Sequence, residues 1–350
     1  MPADIPRVLI VFNQPVLPAD HPDRAAEEDV LYSVKIVCES LATLAVPHES
    51  YGITDDVAAV VARLQQRDYD VVFNLFEGTA DRSITEVYFA GLLEWLRVPS
   101  TGCPSFTLAL ARHKPTAKGV FRAHGVRTPD FALVDDVADC GAIEFDFPHI
   151  VKPASEDASI GIDQSSVVTN KGELTAQVEL VLARYGAPVL VEQFIAGREI
   201  QVSMIDLHGT GEPVILPYSE IAFEPRLGYW PVYTYAAKWD ETSDEYKAAP
   251  VKVNVTVPAK LRRAIDAAVR RAYRALQAQD YARVDCRVND AGEVFVLELN
   301  PNPSITSVMI DSGLPQTGVS YDEFIKCLAM NAHRRRDQPP GTRRNREENA

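Results

Sequence analysis

Two carboxylates and an amide near the end of the chain are spaced for metal chemistry. Alternate residues of a strand share a face, so in "ARVDCRV" (282–288) Arg283, Asp285 and Arg287 point one way and Val284, Cys286 and Val288 the other. The same alternation in "VFVLELN" (294–300) groups Val296, Glu298 and Asn300 opposite Phe295, Leu297 and Leu299. With Ala291–Gly292 as a tight turn between these strands, Asp285 faces Glu298 and Arg283 faces Asn300. Directly opposed Cβ atoms lie roughly 4.5–5.5 Å apart, so like charges there repel unless a cation separates them. Mg²⁺ takes hard oxygen ligands, commonly one or two carboxylates completed by substrate phosphates. Asp285, Glu298 and the amide oxygen of Asn300 offer that set. A solvated polar face of an edge hairpin fits the same residues; confinement of the polar groups to one face, and the turn-forming "NPNPS" after Leu299, favour the metal.

A metal shelf of this kind implies phosphates. Neither GxxxxGK[ST] nor GxGxxG occurs, so the usual phosphate cradles are missing. Lys114 and Lys152 can supply a cationic clamp instead. Lys152 ends the apolar strand "HIVK" and is held extended by Pro153, although a lysine in that position is also ordinary as a solvated group. The small, flexible "ASEDASIG" (154–161) that follows can fold over phosphates through its backbone N–H groups. In "VLVEQFIAGREI" (189–200) a strand delivers Glu192, backbone from Gln193 to Ile195 can pair with an adenine edge, and Glu199 can accept from ribose hydroxyls. Acidic residues at strand ends are common without such a role.

The elements that would position these groups read as an α/β chain. A length of 350 residues suffices for two or three domains with real cores, and 46% hydrophobic with 24% charged residues is ordinarily globular. A net charge of −14 argues against nucleic-acid or anionic-membrane surfaces as partners. No apolar run approaches the ~20 residues of a membrane span. The five cysteines are dispersed without a CxxC pair, which suits reduced thiols in a cytoplasmic protein. "RVLIVFN" (7–13) and "YDVVFNLF" (69–76) read as buried strands with a helix between them, and Ser83 with Glu86 reads as a capping box opening the next helix. That alternation predicts a helix-covered parallel sheet to about residue 108. Pro115 and Gly125 bracket a further helix, "AKLRRAIDAAVRRAYRALQ" is strongly amphipathic, and residues 217–250 read as a long irregular loop of the kind that forms lids. The arginine-rich end from His333 reads as a solvated tail.

Together, and in this order, "VVFNLFEG", "GLLEWLRVPSTG", "LALARHKPTAKGVFRAHGVRTP", "VKPASEDASIG", "VLVEQFIAGREI", "YTYAAKW" and "ARVDCRV…VFVLELNPNP" resemble the ATP-grasp superfamily, and within it the D-alanine–D-alanine ligases. The resemblance covers roughly residues 70–330. It implies a Rossmann-like parallel-sheet domain (1–108), a central ATP-grasp subdomain (109–190), a C-terminal one (191–332) and a tail (333–350), commonly assembled as a homodimer. It also implies ATP and two Mg²⁺ ions, with Mn²⁺ as a substitute, and small-molecule carboxylate and amine substrates. Lys114, Lys152 and the loop carrying Ser159 would bind phosphates, Glu192 with backbone at Gln193 and Ile195 would hold adenine, and Glu199 ribose. Lys238 would reach the transferred phosphate, Asp285, Glu298 and Asn300 would hold the metals, and Arg283 would stabilise an acyl phosphate and its tetrahedral successor.

Departures from the family pattern gather on the substrate side. "FNQPVLPADHPDRAAEEDV" replaces a Gly-rich segment that carries a substrate-binding glutamate, and Glu77 stands for a histidine. Asp157-Ala158 replaces Gly-Ser, Trp239 a tyrosine, Ser304 a glycine and Met309 a serine. The resemblance thus implies an ADP-forming ligase that joins a substrate pair other than two D-alanines. A true D-alanine–D-alanine ligase and a non-catalytic ATP-binding sensor are the alternatives. ATP binding without substrate-dependent ADP release would mark the sensor.

Overall fold

The structure, a computed structural model, describes residues 6–16, 24–79, 82–155, 159–225, 228–305 and 313–336. Among these, strands form three sheets in chain order. In the first, β1 (Val8–Asn13), β2 (His48–Ile53) and β3 (Val71–Leu75) run parallel in the order β2-β1-β3. The second takes β4 (Phe131–Val134), β5 (His149–Pro153), β6 (Val167–Val168) and β7 (Val189–Gln193) in the antiparallel order β4-β7-β5-β6. The third holds β8 (Arg198–Ile205), β9 (Val214–Ile215), β10 (Tyr218–Ile221), β11 (Val251–Val255), β12 (Tyr281–Val288) and β13 (Val294–Pro301), ordered β11-β10-β8-β12-β13 with β9 paired to β8.

Helical periodicity explains how the first sheet is covered. Val30, Val34, Val37 and Leu41 of helix Arg24–Thr43 recur every three or four residues and pack with Val8, Ile10 and Phe12. On the opposite face, Val60, Leu64, Phe89 and Leu93 close over Leu9 and Val11. Both faces are therefore apolar, as a parallel strand requires. The third sheet is covered on one side by helix Ala259–Ala275, whose Ile265, Val269, Ala272 and Tyr273 meet Ile200, Val202, Val284, Cys286 and Leu299. Phe121, from helix Lys114–Ala123, joins the same core.

Several expectations are corrected. Helix Thr85–Trp95 has no side-chain cap. Arg112 takes both residues of the expected capping box instead, donating to Ser83 Oγ at 2.6 Å and pairing with Glu86 at 3.8 Å. The stretch 217–250 contains β10 and helices Tyr235–Trp239 and Asp244–Ala248, whose Thr234 and Ser243 caps are local signals. The final helix runs Tyr321–Arg335, past the expected tail boundary at His333. It continues because Arg335 forms a bidentate pair at 2.7 and 2.8 Å with Asp280, whose side chain is fully buried. The half-exposed strands β2 and β4 carry too little apolar pattern to have been predicted.

The passage from the second sheet to the third turns on Gly197, at φ +126°, where an added Cβ would lie 2.1 Å from the Val288 carbonyl oxygen. Gly197→Ala is expected to lower the unfolding free energy by about 1–3 kcal/mol through backbone strain alone. Urea titration followed by circular dichroism checks this, with an unchanged midpoint as the contrary result.

Candidate active site

A cavity of about 480 Å³ opens between the second and third sheets. Its floor is the polar face of the third sheet. Register sets that face: Arg283 pairs with Ser203, Asp285 with Gln201 and Arg287 with Glu199 across β12 and β8, while Ile200, Val202, Val284 and Cys286 turn into the core. On the other side, Arg283 pairs with Asn300 and Asp285 with Glu298. The pairing expected from alternation is therefore present, but it arises differently. Strands β12 and β13 are joined by five residues, 289–293, with Val288 opposite Val294. This is one step away from the register of a two-residue turn. A bulge at Leu297 restores the register before Glu298. Val296 consequently lies opposite Cys286 in the core, not beside Glu298, and Leu297 lines the cavity.

The second sheet supplies the wall. Ile150 and Lys152 of β5 face the cavity with Glu192 of β7, while Val151, Val189 and Val191 fill the core behind. Ser159, Tyr233, Lys238 and Trp239 line the cavity from connecting segments. Ser159 Oγ donates to the Tyr233 carbonyl at 2.8 Å, tying the 159–162 turn to the segment that carries Lys238. The Lys238 ammonium lies 5.2 Å from the Trp239 ring centroid. Glu77 and Ser304 share a separate recess with Asn74, Glu86, Tyr281 and Asn302. Met309 and the pair Asp157-Ala158 lie outside the described residues.

Charges in the cavity are paired. Arg283 holds Asp285 through two bonds, Nε–Oδ1 at 2.8 Å and Nη2–Oδ2 at 2.9 Å, and Asn300 Nδ2 donates to Asp285 at 3.1 Å. Arg287 pairs with Glu199 at 2.7 Å and bonds the carbonyls of Ile195 and Pro231. Lys114 stands 3.7 Å from Glu298. Glu192, 1% exposed, carries both Lys118 and Lys152. Lys118 escaped the sequence reading. Its signal was its place four residues after Lys114, on the same helical face.

Burial pushes the Glu298 carboxyl up, but Lys114, Lys152, Arg283 and Lys238 together outweigh it and hold the group at about 2. Burial likewise opposes ionisation of Glu192, and Lys118 and Lys152 still bring it below the usual carboxylate range. Lys118 itself is lowered by burial to about 8 in spite of Glu192. Glu199 is raised by burial, with Arg287 only partly offsetting it.

Five basic side chains, Lys114, Lys152, Lys238, Arg283 and Arg287, face four carboxylates, Glu192, Glu199, Asp285 and Glu298, within one cavity. Such a balance suits a polyanion that arrives with its own divalent cations. Asp285 and Glu298 on facing strand positions, with the Asn300 amide beside them, are hard oxygen donors of the type Mg²⁺ selects. Their present partners, Arg283 and Lys114, are the cations that a metal would supplement.

Two antiparallel sheets closing on a charged cavity, behind a helix-covered parallel sheet, define an ATP-grasp fold. Crystal structures of D-alanine–D-alanine ligase from Bacillus anthracis share it. One superposes with TM-score 0.71 at 22% identity over 95% of this chain and 98% of that one. A complex with ATP gives 0.69 at 21% over 94% and 97%. A family model described as "D-ala D-ala ligase C-terminus" matches residues 123–330. A D-alanine–D-alanine ligase of Geobacter sulfurreducens is 33% identical over 246 residues, 69% of this chain and 72% of that protein. The protein y4sG of Sinorhizobium fredii, described as uncharacterized, is 34% identical over 272 residues, 77% of this chain and 76% of its own length. The chain belongs to the D-alanine–D-alanine ligase family of ATP-grasp, C–N bond-forming enzymes.

The position of Glu298 in this network gives a pH dependence. Its folded value of about 2 lies below the ordinary 4.5, so its ion pairs stabilise the fold above about pH 4.5 and are lost as pH falls toward 2. Glu298→Gln is expected to melt below the parent protein near neutral pH, with the gap closing over that acidic window. Thermal melts across the range check it, and a gap independent of pH contradicts it.

Proposed function

We propose that this protein is an ATP-dependent carboxylate–amine ligase, forming ADP and phosphate through an acyl phosphate, with a substrate pair other than two D-alanines. The convergence of Lys114, Lys152, Lys238, Arg283, Asp285 and Glu298 on one cavity carries the catalytic half of this reading. Glu77 and Ser304, two departures from the family pattern, share one recess, which supports the altered specificity. The segment Asn302–Ser304 of that recess begins two residues beyond Asn300.

In this reading Lys114, Lys152 and the turn at Ser159 bind the phosphates. Glu192 and the backbone from Gln193 to Ile195 take adenine, and Glu199 takes ribose. Asp285, Glu298 and Asn300 would hold two Mg²⁺ ions, or Mn²⁺ in their place, which neutralise phosphate charge when bound. A substrate carboxylate oxygen bonds to the γ-phosphorus while the β–γ bridge breaks and ADP leaves with the electron pair. Lys238 follows the transferred phosphoryl group. The amine, having lost a proton, attacks the acyl carbon. Arg283 stabilises the resulting oxyanion, and collapse expels phosphate, which takes up the proton the nitrogen gives off, and leaves an amide. The segment carrying Tyr233 to Trp239 excludes water that would otherwise hydrolyse the acyl phosphate. Met309 and Trp239 would join Glu77 and Ser304 in shaping substrate choice.

The five free cysteines suit a cytoplasmic setting, and exposed Tyr88, Trp95 and Phe106 on two adjoining helices offer an apolar face for a homodimer. A specific observation favours the plainer alternative of a D-alanine–D-alanine ligase: the Geobacter sulfurreducens relative named for that activity is 33% identical.

A phosphate-release screen with Mg²⁺ and ATP, over D- and L-amino acids singly and in pairs, decides between them when products are identified by mass spectrometry. The expected outcome is release that requires a partner other than D-alanine; full activity with D-alanine alone restores the plainer reading. Arg283→Ala is expected to cut turnover by about 10²–10³-fold while changing ATP affinity less than about threefold. A parallel loss of ATP affinity, measured by calorimetry, would remove Arg283 from the chemical step.

A further inference from the structure

Lys118 and Lys152 both pair with Glu192, yet they are held in different ways. Lys118 projects from helix Lys114–Ala123 with its side chain 1% exposed. It forms an ion pair with Glu192 Oε1, and its ammonium donates to Thr128 Oγ1 at 2.9 Å and to the Leu297 carbonyl at 3.0 Å. An ion pair and two hydrogen bonds therefore hold this ammonium. Lys152 pairs with the other oxygen, Oε2, is 11% exposed and lines the cavity. One cation is locked in place and the other borders the space a ligand would fill.

A buried carboxylate that loses its partner is far more costly than one that never had two. With both lysines in place, Lys152 can turn toward an anion in the cavity and Glu192, 1% exposed, remains neutralised by Lys118. With Lys118 absent, the same motion would strand Glu192 as an unpaired buried charge, and Lys152 would stay on it. We infer that Lys118 is a positioning residue, the resident counter-ion of Glu192 that releases Lys152 for the phosphates of the nucleotide. This deepens the proposed function and rests on its assignment of Lys152 to the phosphates. Lys118 touches no ligand in this role; it acts on phosphate binding through the carboxylate the two lysines share.

The readout is the ratio of affinities for AMPPNP with Mg²⁺ and for adenosine, measured by calorimetry on the full chain. A general packing defect lowers both affinities together, whereas sequestering Lys152 lowers only the first. Lys118→Met is expected to weaken AMPPNP by about 10–100-fold and adenosine by less than about threefold. Adding Glu192→Gln to Lys118→Met removes the charge that traps Lys152, so the double variant is expected to bind AMPPNP itself more tightly than Lys118→Met does, a gain that a lost adenine contact at Glu192 could only reduce. Thr128→Val, which loosens Lys118 while keeping every charge, serves if Lys118→Met does not fold, with the ratio expected to fall about two- to fivefold. Equal losses for both ligands in Lys118→Met, no tighter AMPPNP binding in the double variant, or an unchanged ratio in Thr128→Val overturns the inference. Lys152→Met separates the two levels. A reduced ratio there upholds Lys152 as a phosphate ligand whatever Lys118 does, while an unchanged ratio overturns that assignment and the inference built on it.

Discussion

Asp285 and Glu298 stand directly opposite each other on adjacent strands, a place where two carboxylates repel unless cations intervene. The rest of the cavity is organised around meeting that demand. Arg283 clamps Asp285 from the same strand face, Lys114 approaches Glu298 from a helix, and Lys152 and Lys238 add their fields from the second sheet and the covering segment. Burial alone would drive Glu298 toward its neutral form; the four cations reverse the sign. Glu298 is thus kept ionised by its surroundings, before any ligand enters. Ionised oxygens are what divalent cations and transferring phosphoryl groups require.

Sheet architecture makes this possible because each strand contributes one core face and one charged face. On β8 the same two-residue period that buries Ile200 and Val202 presents Glu199 and Gln201 to the cavity. The second sheet repeats the device, with Val151 and Val191 behind Lys152 and Glu192. Charges held in this way stay on the cavity face, since moving one to the other face would require slipping a strand and turning its apolar face to water. The bulge at Leu297 is the exception that proves useful. It moves Val296 into the core, returns Glu298 to the register of Asp285, and turns its own carbonyl to Lys118.

Much of this arrangement was legible in the residues themselves. Alternation placed Arg283, Asp285 and Arg287 on one face, and a tight turn assumed at Ala291–Gly292 paired Asp285 with Glu298. The pairing was reached through a turn the protein does not use, however, and two offsets cancel: a loop of five residues shifts the register by one, and the bulge shifts it back. Periodicity counts residues along one strand and is blind to an extra residue that only the partner strand defines. Lys118 was missed for a related reason. A lysine inside an amphipathic helix reads as solvated, and only the approach of β7 and β13 from distant parts of the chain turns it into a buried ion pair. The Ser83 and Glu86 cap failed because Arg112, 26 residues beyond Glu86, competes for both side chains. Local patterns were reliable where local forces decide, and failed where a tertiary partner outbid them.

The same contrast separates the two halves of the proposed chemistry. Lys152, Glu192, Glu199, Arg283, Asp285, Glu298 and Asn300 all sit on strands, where each charge balances another and each position is fixed by a ladder. Removing Arg283 would take the arginine from buried Asp285, and removing Glu199 would take the carboxylate from buried Arg287, so this side resists such changes one residue at a time. Glu77 and Ser304 lie just past the ends of strands, and Trp239 closes a short helix on the covering segment. Trp239 is 45% exposed. These positions lie outside the strand ladders that fix the charged face of the cavity. A ligase built in this way can exchange the acid and the amine it joins without retuning how it activates them. Among the described residues, the departures Glu77, Trp239 and Ser304 all fall outside the strands that carry the charged face.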